Sequence, residues 1–213
     1  MTTDVIMEEI MAEIERINSY DDKRFDMTVL AQHGAFIVDG NAYEVEITSG
    51  TEAVVRGEDP DVFPELIEKF RFFAEHITRF WDASGKIIAE FERPEVFRVA
   101  LSDIQPTQFY ADLDKIRAVE SFIKNPGDII IPLAAYNGRY VSLDGHTRLS
   151  VAVLRGYEYV SGFLTAADDY TFDFAREAES RGIHAPREIE LIPHDDCERL
   201  WYGYCDAYFA SRG

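Results

Sequence analysis

Within five consecutive positions, Asp144-Gly145-His146-Thr147-Arg148, the chain gathers a carboxylate, an imidazole, a hydroxyl and a guanidinium around one glycine. Tyr140, Val141 and Leu143 have strand character and run straight into this polar turn, after which residues 147–154 read as a helix ending at Gly156. A helix start offers unpaired N–H groups and the positive end of its dipole, which together suit an anion. Arg148 adds a planar, bidentate donor matched to phosphate oxygens. Cations in a first helical turn are disfavoured unless an anion is there, so Arg148 and His146 point to a phosphate site. The competing reading is purely structural: Asp-Gly makes ordinary turns, and Asp or Thr caps helices by satisfying the same amides.

A second set of polar groups comes earlier in the chain. Residues 97–101 read as a strand leading into Ser102-Asp103-Ile104-Gln105-Pro106-Thr107-Gln108-Phe109-Tyr110, where Pro106 bars regular structure. Gln105 and Gln108 are offered from that loop, either to a ligand or to the loop's own backbone. Cys197 and Cys205 stand eight apart on a predicted helix, two turns and too far for a disulfide, so both are expected as reduced thiols. His194 lies near Cys197 but does not by itself make a metal ligand set.

These groups need elements to position them. Residues 3–17 carry Val5, Ile6, Ile10, Met11, Ile14 and Ile17 on one helical stripe with glutamates opposite, predicting an amphipathic, acidic first helix. Residues 27–38, 41–47 and 51–55 read as strands separated by His33-Gly34, Asp39-Gly40-Asn41 and Ser49-Gly50, a small antiparallel meander. Residues 61–81 return to helical spacing through Phe63, Leu66, Ile67, Phe70 and Phe73, an aromatic stripe that reads as core packing before it reads as a ligand groove. A strand follows at residues 86–91.

A helix at residues 113–123, strands at 129–133 and 140–143, the helix at 147–154 and a strand at 159–164 then predict a mixed α/β core. Helices at 170–181 and 195–209 close the chain, the last with Cys197, Leu200, Trp201, Tyr204, Cys205, Tyr208 and Phe209 on a face that must dock.

Composition narrows the function classes. The chain has 213 residues with 46% hydrophobic content, enough for a real core. Forty acidic against 21 basic residues leave a formal charge of −19, so the average surface repels polyanions, and nucleic acid is disfavoured as a partner. Neither a signal peptide nor an apolar run long enough for a membrane span is found, which leads to the expectation of a cytoplasmic protein with no membrane partner.

The middle of the chain resembles the ParB/sulfiredoxin-like superfamily: a strand before Ile104-Gln105-Pro106-Thr107-Gln108, a helix, Ile131-Pro132-Leu133, then Tyr140-Val141-Ser142-Leu143-Asp144-Gly145-His146-Thr147-Arg148-Leu149. The likeness covers about residues 97–165 and is strongest to short bacterial proteins that carry a ParB-like nuclease domain label and have a similar Leu200-Trp201-Tyr202-Gly203-Tyr204-Cys205 ending. The resemblance implies an α+β protein: an N-terminal α+β region at 1–95, a ParB/sulfiredoxin-like core at 96–165 and a C-terminal helical extension at 166–213 packed on it.

The resemblance also implies a nucleotide ligand, ATP or CTP, with Gly145, His146, Thr147 and Arg148 at the phosphates and Gln105 and Gln108 as further binding residues. By the same likeness Asp144 would hold Mg²⁺ or assist proton transfer, and Asp144, His146 and Asp103 are the candidate catalytic groups. Asp103 enters because the free-serine kinases of this superfamily keep a glutamate in the loop where this chain has Gln105 and Gln108, neither of which takes a proton at neutral pH. No cysteine stands in the glycine turn, so the thiol chemistry of sulfiredoxin does not transfer.

The leading expectation is a protein that binds a nucleotide or other phosphorylated small molecule at Asp144 to Arg148, with hydrolysis or phosphoryl transfer as the attendant chemistry. The alternatives are a non-catalytic module that presents an acidic surface to a protein partner, and a DNA-binding adaptor or nuclease.

Overall fold

The computed structural model describes residues 13–17, 19, 21–72, 74–120 and 123–212. Most of the expected first helix, residues 3–12, lies outside the described residues; the remainder of it holds a strand, β1 (Ile14–Arg16). β1 pairs antiparallel with β2, so a sheet partner overrides the helical spacing there.

Residues 27–38 are not one strand. The Asp26 carboxylate accepts the N–H of Thr28, caps the chain and starts α1 (Met27–Ala31). The helix closes with Gly34 N–H donating to Val29 O at 2.9 Å and His33 N–H donating to Leu30 O at 3.0 Å, the paired bonds of a Schellman motif. Gly34 then lets the next strand approach β3 closely, since a Cβ there would lie 1.9 Å from Val45 O.

β2 (Ala35–Val38), β3 (Asn41–Ile47) and β4 (Glu52–Arg56) form the expected meander. α2 (Phe63–Arg71) follows with Pro64 in its first turn and buries Phe63, Leu66, Ile67 and Phe70, the core role read from its stripe. It stops well short of residue 81, because β5 (Arg79–Asp82) pairs parallel with β4 and β6 (Ile87–Glu90) antiparallel with β5. The six strands run β1-β2-β3-β4-β5-β6 in one sheet.

A second sheet carries the glycine turn. β7 (Val96–Ala100), β8 (Ile104–Gln105), β9 (Tyr110–Asp112), α3 (Leu113–Glu120), β10 (Ile130–Tyr136), β11 (Arg139–Ser142), α4 (His146–Leu154) and β12 (Tyr159–Leu164) follow in that order. Five of the strands order as β7-β12-β10-β11-β8 with mixed directions, so the chain is an α+β protein. Its core includes Ile104, Phe109, Ile131, Leu133, Leu149 and Val160.

α5 (Asp169–Ser180) and β13 (Glu190–Ile192) complete the frame, β13 pairing parallel with β9 so that the C-terminal segment clamps the loop before α3. The last helix runs as α6 (His194–Cys197), a π-helical stretch (Glu198–Tyr202) and α7 (Gly203–Ala210). A π turn inserts one residue into the helical repeat. Trp201 and Tyr204 both meet Phe109, with centroids at 5.2 and 4.9 Å, and Tyr208 meets Phe174 at 4.8 Å, so the aromatic face docks on the core as its spacing requires. Cys197 and Cys205 are free thiols, as expected.

His194 anchors this helix. Its Nδ1 lies 2.6 Å from Oδ2 of the buried Asp112, while Oδ1 of that carboxylate accepts the N–H of Asp114 at 2.8 Å. The Asp112 hydrogen bond raises the His194 pKa above the ordinary histidine value. NMR titration should show His194 retaining its proton above pH 6.5, with Asp112→Asn returning it toward the ordinary value; a midpoint indifferent to Asp112→Asn would contradict the anchor.

Candidate functional site

β11 delivers the chain to Asp144-Gly145, and Gly145 takes the left-handed conformation, φ 84°, from which α4 starts without a side-chain cap. The Arg148 guanidinium does not extend into solvent. It folds back over the turn, donating to Ile130 O at 2.7 Å from Nη1 and to Asp144 Oδ2 at 3.1 Å from Nη2. A Cβ on Gly145 would stand 3.0 Å from Arg148 Nη2 and 2.6 Å from Ile131 Cδ1, so the glycine also makes room for the guanidinium.

Asp144 keeps 49% of its side-chain surface exposed against 19% for Arg148. Burial by the surrounding protein works to raise its pKa, and the Arg148 charge with the Gly145 N–H outweighs that, holding the carboxyl below its usual range. Asp144 is therefore ionised at neutral pH. Thr147, the fourth expected phosphate contact, is partly buried in the first turn of α4.

His146 turns inward. Its Nε2 accepts the Thr107 N–H at 3.0 Å and lies 3.0 Å from Ser142 Oγ and 3.1 Å from Thr107 Oγ1. An acceptor at Nε2 puts the proton of the neutral ring on Nδ1. Burial pushes the pKa of His146 down to about 4. The imidazole thus fastens the residue 105–108 loop to the start of α4, and a ring so committed is poorly placed to shuttle protons for a substrate.

The expected loop residues also spend their polar groups internally. Gln105 is fully buried, with Nε2 donating to Pro106 O at 2.9 Å and to Ile183 O at 2.8 Å, and its Oε1 has no hydrogen-bond partner among the described residues. Gln108 donates to Tyr110 O at 2.6 Å. Of the two readings of these glutamines, backbone tethering is what the geometry displays.

Asp103 ends a 3₁₀ turn (Leu101–Asp103) just before β8, whose Ile104 pairs with Tyr140 near the start of β11, whereas Asp144 follows the end of β11. Asp103 is exposed and accepts from Ser102 Oγ at 3.3 Å.

Two further histidines feel the charges of the same pair. His76, in the loop between α2 and β5, is 8% exposed and packs its ring 6.2 Å from that of Phe163 on β12. Burial drives its pKa down to about 3, with Arg148 lowering and Asp144 raising it. His33, partly buried at the end of α1, is pushed down to about 4, first by burial, with Arg16, Asp144, Lys115 and Arg148 also acting on it. Both histidines come from the half of the chain that builds the first sheet, so no spacing near residue 144 could have revealed them.

Among the described residues no group of three or more His, Cys, Asp or Glu side chains gathers as a metal site, and no helix is long and apolar enough to cross a membrane. Two open clefts of about 400 and 640 Å³ flank residues 156–159, beyond the carboxyl end of α4, and neither is lined by a residue of the 144–148 turn.

No protein-family model matches the chain, and no curated protein matches it. Among solved structures it is similar to the crystal structure of protein Atu1540 from Agrobacterium tumefaciens, over 43% of this chain and 50% of that one, at 20% identity and a TM-score of 0.31. The chain thus spans about half the length of that protein, and a likeness of this extent carries nothing about ligand or reaction.

Proposed function

We propose that the chain binds a phosphorylated small molecule, a nucleotide foremost, at the Asp144–Arg148 turn. The observation that carries this reading is the position of the Arg148 guanidinium, folded over the uncapped start of α4 and only 19% exposed. Arg148 already donates to Ile130 O and Asp144 Oδ2, and a phosphate oxygen beside the start of α4 would share or take over the place that the Asp144 carboxylate holds against the guanidinium. The likeness of the middle of the chain to the ParB/sulfiredoxin-like superfamily supports the same ligand class. In this arrangement Arg148 and the α4 amides bind, His146 holds the loop that carries Thr107, and Asp144 fixes Arg148 and stands ready for Mg²⁺, which is commonly bound through one or two carboxylates together with ligand phosphates. The reading is one of binding; His146 and Asp103 give turnover no support. Two free thiols and a net charge of −19 fit a cytoplasmic setting and speak against DNA.

Thermal shift with ATP, ADP, CTP and GTP in the presence of Mg²⁺ tests it, because a ligand that prefers the folded state raises the melting temperature. One nucleotide should raise the Tm at millimolar concentration, and Arg148→Ala should abolish that rise. No shift with any nucleotide, or a shift that survives Arg148→Ala, sinks the reading.

The acidic interaction module has its own support in the net charge of −19. It becomes the better account if nucleotides do nothing.

A further inference from the structure

β7 ends the strand order of the second sheet and pairs antiparallel with β12, which sets Arg98 directly across from Ser161, with Tyr159 two residues along on the same face. Val99 and Val160, the register pair next to them, turn the other way and belong to the core. The outer face of this strand pair therefore holds a guanidinium, a hydroxyl and a phenol ring whose spacing is fixed by strand register.

The Arg98 guanidinium lies over the Tyr159 ring, 3.9 Å from its centroid. Stacking on a ring fixes the plane of the group and leaves its N–H edge facing outward, the geometry that a planar oxyanion meets with both oxygens. Among the described residues that guanidinium makes no hydrogen bond and no ion pair, and neither does the Ser161 hydroxyl. Other arginines of this acidic chain find a carboxylate: Arg56 meets Glu46, Arg79 meets Glu90, Arg155 meets Glu120 and Arg181 meets Glu177. Arg98 is held in place with its donors unspent.

Both groups stand on the wall of the cleft of about 640 Å³ beside residues 156–159, a size within the range of small-molecule sites. Pro126, Gly127 and Tyr157 add uncharged wall, and Glu158 is the one carboxylate that lines it, forming no ion pair with Arg98. A cleft with one positive and one negative group favours a ligand with a single negative charge; the second charge of a phosphate dianion would face Glu158 without a partner.

We propose that this cleft binds a small organic monocarboxylate, its two oxygens taken by the Arg98 guanidinium edge and the Ser161 hydroxyl and its apolar body resting against Tyr157 and Pro126. The site is separate from the Asp144–Arg148 turn and stands or falls without the phosphate reading.

Titration of the full chain with phenylacetate and, separately, with inorganic phosphate tests this, read by NMR at the backbone amides of residues 156–161. Phenylacetate should shift those amides saturably. Arg98→Gln should weaken it about tenfold, Ser161→Ala about threefold, and Arg98→Lys, which keeps the charge but loses the planar fork, by an amount between the two. Arg98 is exposed, so these variants should melt close to the wild type. Absence of a saturable shift overturns the proposal, as does an affinity indifferent to Arg98→Gln. Phosphate binding as tightly as phenylacetate, with the same dependence on Arg98, overturns the carboxylate assignment. If Arg98→Gln melts well below the wild type, the affinity of Arg98→Lys decides: weaker binding supports the proposal and unchanged binding overturns it.

Discussion

Gly145→Ala should destabilise the folded chain by about 3 kcal/mol in urea titration at pH 7, the sum of two independent penalties. The first is conformational: φ at Gly145 is 84°, and an L side chain in the left-handed region costs roughly 1–2 kcal/mol. The second is spatial, since the new Cβ would stand 2.6 Å from Cδ1 of the fully buried Ile131 and 3.0 Å from Arg148 Nη2. Relief requires Ile131 to shift within a packed core or the guanidinium to leave the turn, and overpacking of this kind costs about 1–3 kcal/mol. Gly156→Ala is the control. Its φ is also positive, 68°, but a Cβ there meets nothing within 4 Å, so only the conformational penalty applies. Equal losses at the two positions would mean that the space over Gly145 is not filled as described. If the altered turn also fails to bind nucleotide while Gly156→Ala binds normally, the loss belongs to the site rather than to folding in general.

Acid should unfold the chain earlier than its carboxylates alone would require. His76 and His146, buried at 8% and 5% exposure, titrate in the folded state near 3 and 4, below the 6.5 of an ordinary histidine. A folded pKa lowered in this way means that the unfolded chain takes up the proton first. The stability these groups contribute is fully present above pH 6.5 and is lost as pH falls through the window down to 4 and then 3. The slope for each approaches about 1.4 kcal/mol per pH unit below 6.5, so between pH 6.5 and 5 the pair removes about 3 kcal/mol, a large share of the roughly 5–15 kcal/mol of a typical domain. Urea midpoints measured across that range should fall steeply, and His76→Phe should flatten the fall by about 2 kcal/mol. A stability profile that is level from pH 7 to 5 would contradict the buried, neutral state of both rings.

Most of the second sheet is readable from sequence because its elements answer to local chemistry; β8 is the exception, a two-residue edge strand inside the segment read as a loop around Pro106. The strand at 159–164 matches β12 in both bounds, and the helix after Gly145 ends where Gly156 follows it. The first sheet was less readable. Residues 27–31 have β-branched character, yet the Asp26 cap and the His33-Gly34 closure make them helical, a signal present in the sequence but weaker than the apolar run it interrupts. Residues 72–81 continued a helical stripe, and only the remote pairing of Arg79–Asp82 with β4 assigns part of them to a strand. The candidate site divides in the same way. Asp144, Gly145 and Arg148 stand out by spacing, but that His146 turns inward depends on Thr107 and Ser142, and that His76 is buried against Phe163 depends on packing between segments remote in sequence. Residue type and spacing hold no record of either.

The parallel pairing of β13 with β9 has a bearing on how the chain is made. Tyr110 and Glu190 are held side by side, and the segment they frame leads directly out of the loop that His146 fastens. During synthesis that clamp must wait until residue 192 has cleared the ribosome, well after the residues of the α4 turn have been made. A chain lacking β13 should therefore show faster hydrogen exchange over residues 110–112 than the full chain does.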